Sequence, residues 1–273
     1  MRARSVIRGP KRLLLELAAR GPRASFAIAR ALDAAAGALL DNLDRGEPIA
    51  ELPVPDPSLA ARAPWERSAR FRLFGTLLWH GYPVPDLEFF DLPDLSDLQP
   101  PAILASLHTG PLLSVGLILE RLPSRPLALS TEFPSGARFE SLHVAPSLGS
   151  RARAVRRAVE ELRTGRFVFT TIDNPQRRRH VEAAFLGRNV KLAPGAFVLS
   201  RLARAPIVPL LATWQDGRVV VLRGPVVAPG PDETMGSALG RWLDQLFRTT
   251  PLPLGPNFVR TLLRMSPLVD GTS

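Results

Sequence analysis

From residue 101 onward, short apolar runs alternate with longer amphipathic stretches, and this alternation constrains the fold more than any other feature of the chain. AILASL (102–107), LALS (127–130), FVFTTI (167–172), IVPLLA (207–212) and VVVL (219–222) read as buried strands. Between them, LLSVGLILERL (112–122), SRARAVRRAVEELRTG (150–165) and PGAFVLSRLAR (194–204) read as helices, and Thr234 to Phe247 predicts one more. Gly165 suits a helix C-cap and Pro194 a first helical turn. Strands alternating with helices predict an α/β layer fold. The 273 residues suffice for one large domain of this kind, or for one with a helical extension.

The first part of the chain has a different texture. Lys11 to Arg20, Ala-rich Arg23 to Leu43, and Leu59 to Trp79 each carry apolar residues at helical spacing. Glu47 to Pro57 holds four prolines and reads as a linker. The expected division is therefore an N-terminal helical extension over 1–57 and an α/β domain over 58–273. After Phe247 the stretch TPLPLGP reads as irregular.

The net charge of +10 implies attraction to something acidic: nucleic acid, anionic lipid or an acidic carrier protein. Lys11 and Lys191 are the only lysines, so arginine, which pairs bidentately with phosphate and carboxylate, carries nearly all the positive charge. Nucleic acid is not expected, because the chain has one tyrosine, no aromatic stacking platform and no recognisable nucleic-acid module. Arg2, Arg4, Arg8, Lys11 and Arg12 lie beside Leu13, Leu14, Leu15 and Leu17, an arrangement that suits an anionic membrane surface. The uncharged stretch Pro101 to Leu119 contains two prolines, two glycines and a histidine and reads badly as a membrane span, so the expected relation to a membrane is peripheral. The apolar stretch at the N-terminus is too short and too charged to be a convincing signal peptide.

Several chemistries are excluded. With no cysteine there is no disulfide, thiolate metal site or cysteine nucleophile. No two histidines have metal-ligand spacing, so no metal is expected. There is no Gly-x-Ser-x-Gly elbow and no phosphate loop. His108 is the most informative residue left. It sits where the strand AILASL ends and a helix begins, in the string S-L-H-T-G-P-L-L-S. Strand ends are where α/β sheets place chemistry. Gly110 and Pro111 suit a sharp turn into a helix N-terminus, whose free N–H groups suit an oxyanion. An imidazole beside such donors is a reasonable general base for an alcohol attacking a carbonyl; the alternative is a histidine satisfied within the core. His80, ending a helical patch, reads as structural, His143 lies in a loop-like stretch, and His180 ends the solvated run Q-R-R-R-H.

Two blocks carry a family resemblance. The first is A-I-L-A-S-L-H-T-G. The second runs T-I-D-N-P and then A-A-F-L-G-R-N-V-K-L-A-P-G-A-F-V-L-S-R-L-A-R-A-P-I-V-P-L. Together they resemble the bacterial lipid A biosynthesis (lauroyl/myristoyl) acyltransferase family, within the wider glycerolipid and lysophospholipid acyltransferases. Asp173, Phe185, Gly187, Gly195, Pro206 and Pro209 fall on matching places. The resemblance implies a central mixed sheet flanked by helices. It also implies transfer of a fatty acyl group from an acyl thioester, usually on acyl carrier protein and otherwise on coenzyme A, to a lipid hydroxyl or amine. No cofactor is implied, and the implied place is the cytoplasmic face of the bacterial inner membrane.

In that family a histidine is the base, and an acid five positions on orients it and charges it. The resemblance makes His108 the base and the backbone at Thr109 and Gly110 the oxyanion site, but the acid's position holds Leu113. An orienting carboxylate fixes the tautomer and stabilises the imidazolium; in serine proteases its loss costs about four orders of magnitude. Three explanations stand side by side. Another carboxylate reaches His108, with Asp173 first and Glu120 second. Ser114 or Ser106 holds the ring by a neutral hydrogen bond. Or the chain does not catalyse, and binds lipid or a partner enzyme. Asp173 also suits an Asx-type turn with Asn174 and Pro175. Arg177, Arg178, Arg179, Arg188 and Lys191, with Gly195, are expected at the mouth of the site, where phosphorylated head groups or the carrier protein would be drawn. Arg151, Arg153, Arg156 and Arg157 crowd one helix; an ordinary solvated face is the alternative for each cluster. The family's Pro-Glu-Gln followed by an aromatic and basic segment is replaced here by TPLPLGPNFVR, so the acceptor need not be lipid A.

Overall fold

The computed structural model describes residues 90–107, 115–119, 122, 124, 126–130, 140–145, 147–173, 179–185, 187–215 and 218–249, with scattered positions before residue 90. Residues 16–17, 20, 24–25, 27–29 and 31 are helical, as their apolar spacing predicts. The linker over 47–57 and the chain beyond Thr249 lie outside the described residues.

Nine strands and four helices have defined limits: β1 (Phe90–Asp91), β2 (Ala102–Ser106), α1 (Val115–Leu119), β3 (Leu127–Ser130), β4 (Glu140–His143), α2 (Leu148–Arg163), β5 (Phe167–Thr171), β6 (Val181–Phe185), β7 (Arg188–Leu192), α3 (Gly195–Ala203), β8 (Ile207–Gln215), β9 (Arg218–Arg223) and α4 (Asp232–Thr249). Seven strands form one sheet in the order β1-β9-β8-β2-β5-β3-β4. The sheet is parallel from β8 to β4 and becomes antiparallel where β8 turns back into β9. It is therefore the mixed, helix-flanked α/β sheet that the alternation and the resemblance lead one to expect.

β2 lies at the centre, between β5 and β8, and every residue in it is buried. A strand covered on both faces reads as an unbroken apolar run, which is why AILASL shows no alternation. Its side chains still divide between the two faces. Ile103, Ala105 and Leu107 pack into one core with α2, α3, α4 and the β6–β7 hairpin. Ala102 and Leu104 pack into the other with Val115 and Leu119 of α1 and Leu98. On β5, Val168 and Ile172 join the first core, while Phe167 and Phe169 join the second.

The ends of α2 and α3 follow their sequence signals. Ser147 caps α2 by accepting from the Ser150 N–H at 3.3 Å, and Gly165 follows Thr164 with φ +80°. Pro194 is the residue before α3 and has helical backbone. The last helix, α4, opens on Asp232 and Glu233, the sign of charge that its N-terminal dipole favours.

Three features depart from the expectations. His143 is not in a loop: it ends β4, an edge strand paired in parallel with β3. Residues 181–192 form an antiparallel hairpin whose two-residue turn places Gly187 at φ +68°, a conformation that glycine adopts without cost. The third concerns the arginines of α2. Arg157 pairs with the buried Glu161 and sits 3.8 Å from Glu140; Arg166, just before β5, also pairs with Glu161 and with Glu140 at 3.1 Å. Burial opposes the charge of Arg166, yet the two carboxylates outweigh it and raise its pKa above the ordinary value. Arg156 lies 3.9 Å from Glu160 on an exposed face, a pair of small worth.

Because Glu140 begins β4 and Arg166 precedes β5, this network sits at the amino-terminal edge of the sheet, away from the strand ends where chemistry is expected. Its role is to clamp α2 to that edge. Glu161→Gln would leave two guanidinium groups sharing Glu140. The expected loss is about 2 kcal/mol, discounted from the cost of breaking a fully buried pair because Arg157 is half exposed. Urea unfolding measures it; a loss under about 0.5 kcal/mol would make the network an ordinary surface pair.

Candidate functional site

The site builds from two adjacent strand ends. β2 and β5 pair in parallel over five residues, and the last pair in register is Ser106 with Thr171. The ladder goes one bond further: the Ile172 N–H donates to the Ser106 carbonyl at 2.9 Å. Leu107 and Ile172, one residue beyond the strands, still obey the alternation, both pointing into the core under α2 and α3. Ser106 and Thr171 therefore belong to the opposite face, the side of α1. Beyond Thr171, the next residue of that parity is Asp173.

Asp173 is half-buried in a bend directly after β5, at the carboxyl edge where strand-end chemistry was expected. His108, Thr109 and Gly110 lie outside the described residues, as do Leu113, Ser114, Glu120, Arg177 and Arg178. On the described side of that gap, Ser106 is 1% exposed and its hydroxyl has no hydrogen-bond partner among the described residues. Thr171 is half-buried. The run FVFTTI does not single out Thr171; the register shows that it shares an edge and a face with Ser106.

Gly195 is brought close to the same edge. The Ala193 N–H donates to the Ile172 carbonyl at 2.6 Å, so the start of α3 is tied to the end of β5. No side chain caps that helix end, and its first turn holds no acid. Lys191 is exposed on β7, opposite Glu182 in register and two residues before the tie to β5. Arg179 is exposed just before β6. Both thus lie at the end of the hairpin anchored near Asp173. Arg188 does not join them: its register partner is Phe185, so it stands at the turn end, about 14 Å of strand away from Leu192. His180 is partly buried rather than freely solvated, with its Nε2 3.4 Å from the Glu182 carboxylate, which also accepts from the Asn189 amide at 2.6 Å. The ion pairs of Arg157 likewise remove it from the cations expected to serve a ligand.

Among the described residues no group of three side chains is placed to hold a metal ion, and no helix is long and apolar enough to cross a membrane.

No protein-family model matches the chain, and no curated protein does; the likeness to the lipid A acyltransferases rests on the two sequence blocks alone. Among solved structures, the chain is similar to the crystal structure of the 1-acyl-sn-glycerophosphate (LPA) acyltransferase PlsC from Thermotoga maritima, at 14% identity and a TM-score of 0.36, over 67% of this chain and 80% of that one.

Proposed function

We propose that the chain is a peripheral membrane acyltransferase, moving a fatty acyl group from an acyl thioester to a hydroxyl or amine of a lipid or lipid-like acceptor. The observation that carries this reading is the register of Ser106 with Thr171, together with the alternation that persists through Leu107 and Ile172. We read the same alternation one residue further on each strand, which would bring the His108 imidazole and the Asp173 carboxylate to one face of neighbouring strands, about 4.8 Å apart.

The chemistry follows from these groups. His108 takes the proton of the acceptor hydroxyl as its oxygen attacks the thioester carbonyl. Backbone N–H groups at Thr109 and Gly110 hold the resulting oxyanion. Collapse of the tetrahedral intermediate breaks the carbon–sulfur bond, and the departing thiolate takes the proton back from the imidazolium. Asp173 lowers the energy of the imidazolium through its negative charge. Arg179 and Lys191, with Arg177 and Arg178 in the same stretch, attract a phosphorylated head group or the acidic acyl carrier protein. The basic and apolar extension over 1–57 rests on anionic lipid at the cytoplasmic face of the inner membrane.

The test is direct. Purified protein incubated with labelled long-chain acyl-carrier protein and a bacterial lipid extract should give a labelled lipid. Leu113 favours a second reading, a relative that binds lipid or a partner enzyme without catalysis. That reading gains if the protein sediments with lipid vesicles yet gives no product with acyl-carrier protein or acyl-coenzyme A.

A further inference from the structure

The charges of α2 run in an unusual order. Arg151, Arg153, Arg156 and Arg157 come first, Glu160 and Glu161 follow, and no acid lies in the first turn. A helix dipole favours the reverse, and α4 obeys it, opening on Asp232 and Glu233 and ending near Arg248. Glu140 and Glu161 account for Arg157. They do not account for the arginines nearer the helix start. We infer that the start of α2 is a membrane-contact tip: Leu148 enters the apolar boundary of a bilayer, and Arg153 and Arg156 rest on its anionic head groups. The inference rests on the peripheral-membrane reading above and on no catalytic residue.

Leu148 is 83% exposed, the most of any large apolar side chain among the described residues. Ala152, one turn on, is exposed too and extends the apolar strip. The cations stand around it. The Arg153 guanidinium lies beside Gly149, where an added Cβ would stand 3.7 Å from its Nη1. Arg156 meets Glu160 only at 3.9 Å across an exposed face, a pair that a head-group phosphate can displace.

The fold puts this tip at the edge of the sheet that carries Asp173. β4 ends at His143, level with Ser130 of β3, so α2 begins beyond the carboxyl ends of the parallel strands. α3 starts at the same edge, through the tie between Ala193 and Ile172. At their far ends, Arg163 of α2 donates to the Leu202 carbonyl of α3 at 3.2 Å. The two helices therefore run side by side in one direction, and Leu148 and Leu202 lie at opposite ends, roughly 20 Å apart along the axis. Lys191 and Arg179 are exposed at the edge where the helices start, beside Glu182, which His180 and Asn189 already engage. An acidic protein would satisfy these cations and leave the leucine in water. A bilayer takes both, at two depths, as it does with basic amphipathic helices. Docked this way, the strand ends face the lipid from which an acceptor would come.

Because the chain has no cysteine, Leu148→Cys carries its only thiol. The thiol is labelled with an environment-sensitive nitrobenzoxadiazole group. Leu202→Cys, labelled in the same way, is the reference, a half-exposed leucine at the other end of the helix pair. With vesicles of phosphatidylcholine and phosphatidylglycerol, the probe at 148 should brighten and shift to the blue, and lipid carrying a shallow nitroxide should quench it. The probe at 202 should do neither. In the unlabelled chain, Leu148→Asp should weaken sedimentation with these vesicles about tenfold, the scale of withdrawing one leucine from an apolar phase. Arg153→Gln and Arg156→Gln should each weaken it about fivefold, an effect that vanishes when phosphatidylglycerol is left out. Melting temperatures should not move, since all three side chains are exposed. A protein that sediments with vesicles while the 148 probe stays silent would overturn the inference and leave the membrane reading standing. A 148 probe that responds to acyl carrier protein and not to vesicles would overturn it as well, and give the tip to an acidic protein. If the chain binds no vesicle at all, the inference and the membrane reading fall together. None of these readouts needs turnover, so a lack of acyl transfer counts against the enzyme reading alone.

Discussion

Alanine in place of His108 is expected to lower the rate of acyl transfer about a thousandfold, with the fold intact. The magnitude is that of losing a positioned general base, which contributes about 10²–10⁴ in rate. The residue sits beyond the last hydrogen-bonded pair of β2 and β5, so its side chain is not required to hold the sheet together. Thermal melting should therefore barely move. Donor binding should also survive, because the cations proposed to attract the carrier protein are other residues, Arg179 and Lys191 among them. The expected pattern is a fall in kcat with little change in the KM for acyl-carrier protein, followed by the release of labelled lipid. A variant as active as wild type would remove His108 from the chemistry.

The largest expected effect on stability comes from α4. Gly236 and Gly240 lie one turn apart and press against the backbone of β6. A Cβ at position 236 would stand 2.6 Å from the Glu182 carbonyl oxygen, and one at position 240 would stand 2.5 Å from the Ala184 carbonyl oxygen. Backbone atoms cannot swing aside as a long side chain would. The double variant Gly236→Ala/Gly240→Ala must therefore lift the hairpin off the helix. It would disturb the packing of Met235, Leu239 and Leu243 against Val181, Ala183 and Phe185. It would also disturb the edge-to-face contact of Phe185 with Phe247, whose ring centroids are 4.9 Å apart. Clashes this close to backbone fall at the upper end of the about 1–3 kcal/mol that an overpacked position costs, so a net loss of roughly 4 kcal/mol is expected for the pair once alanine's gain in helix propensity is deducted, read as a lower urea midpoint. The gain in helix propensity from alanine, about 1 kcal/mol per site, works the other way. A double variant as stable as wild type would mean that the hairpin does not rest on these glycines.

The sequence shows its strands best where they are buried on both faces. The runs at β2, β3, β5, β8 and β9 are apolar because helices or hairpin cover both sides, and continuous apolarity is visible without any partner. β4 was missed because ESLH is an edge strand with mostly exposed side chains, and its membership depends on β3 lying beside it. The hairpin was missed for a related reason. VEAAF buries alternate residues against α4, a helix that begins about fifty residues later in the chain. The glycines of α4 mark that contact, but a glycine in a helical pattern does not name the strand it admits. The pairing of Arg157 on α2 divides in the same way. Glu161 lies within its own helix, whereas Glu140 reaches it only through the fold.

The site divides along similar lines. That His108 and Asp173 each follow a buried strand is legible from the runs themselves. That the two strands are neighbours, with Ser106 opposite Thr171 at their ends, is not, because register is a property of the pairing. Gly195 belongs near Asp173 for a reason the sequence hides, the hydrogen bond between Ala193 and Ile172. Arg188 belongs elsewhere because a hairpin carries its turn residues away from its base.

The absence of cysteine gives the central claim a clean test. In the double variant His108→Cys/Asp173→Cys the two new thiols are the only ones in the chain. Neighbouring strands at the same level place Cα atoms within the 4.4–6.8 Å that a disulfide spans. Ser106→Cys/Thr171→Cys, made from the last pair in register, is the reference. Mild oxidation followed by a free-thiol assay should find both pairs closed within the monomer. If the reference pair closes while the thiols at 108 and 173 stay free, the imidazole and the carboxylate do not meet, and the proposed site is wrong.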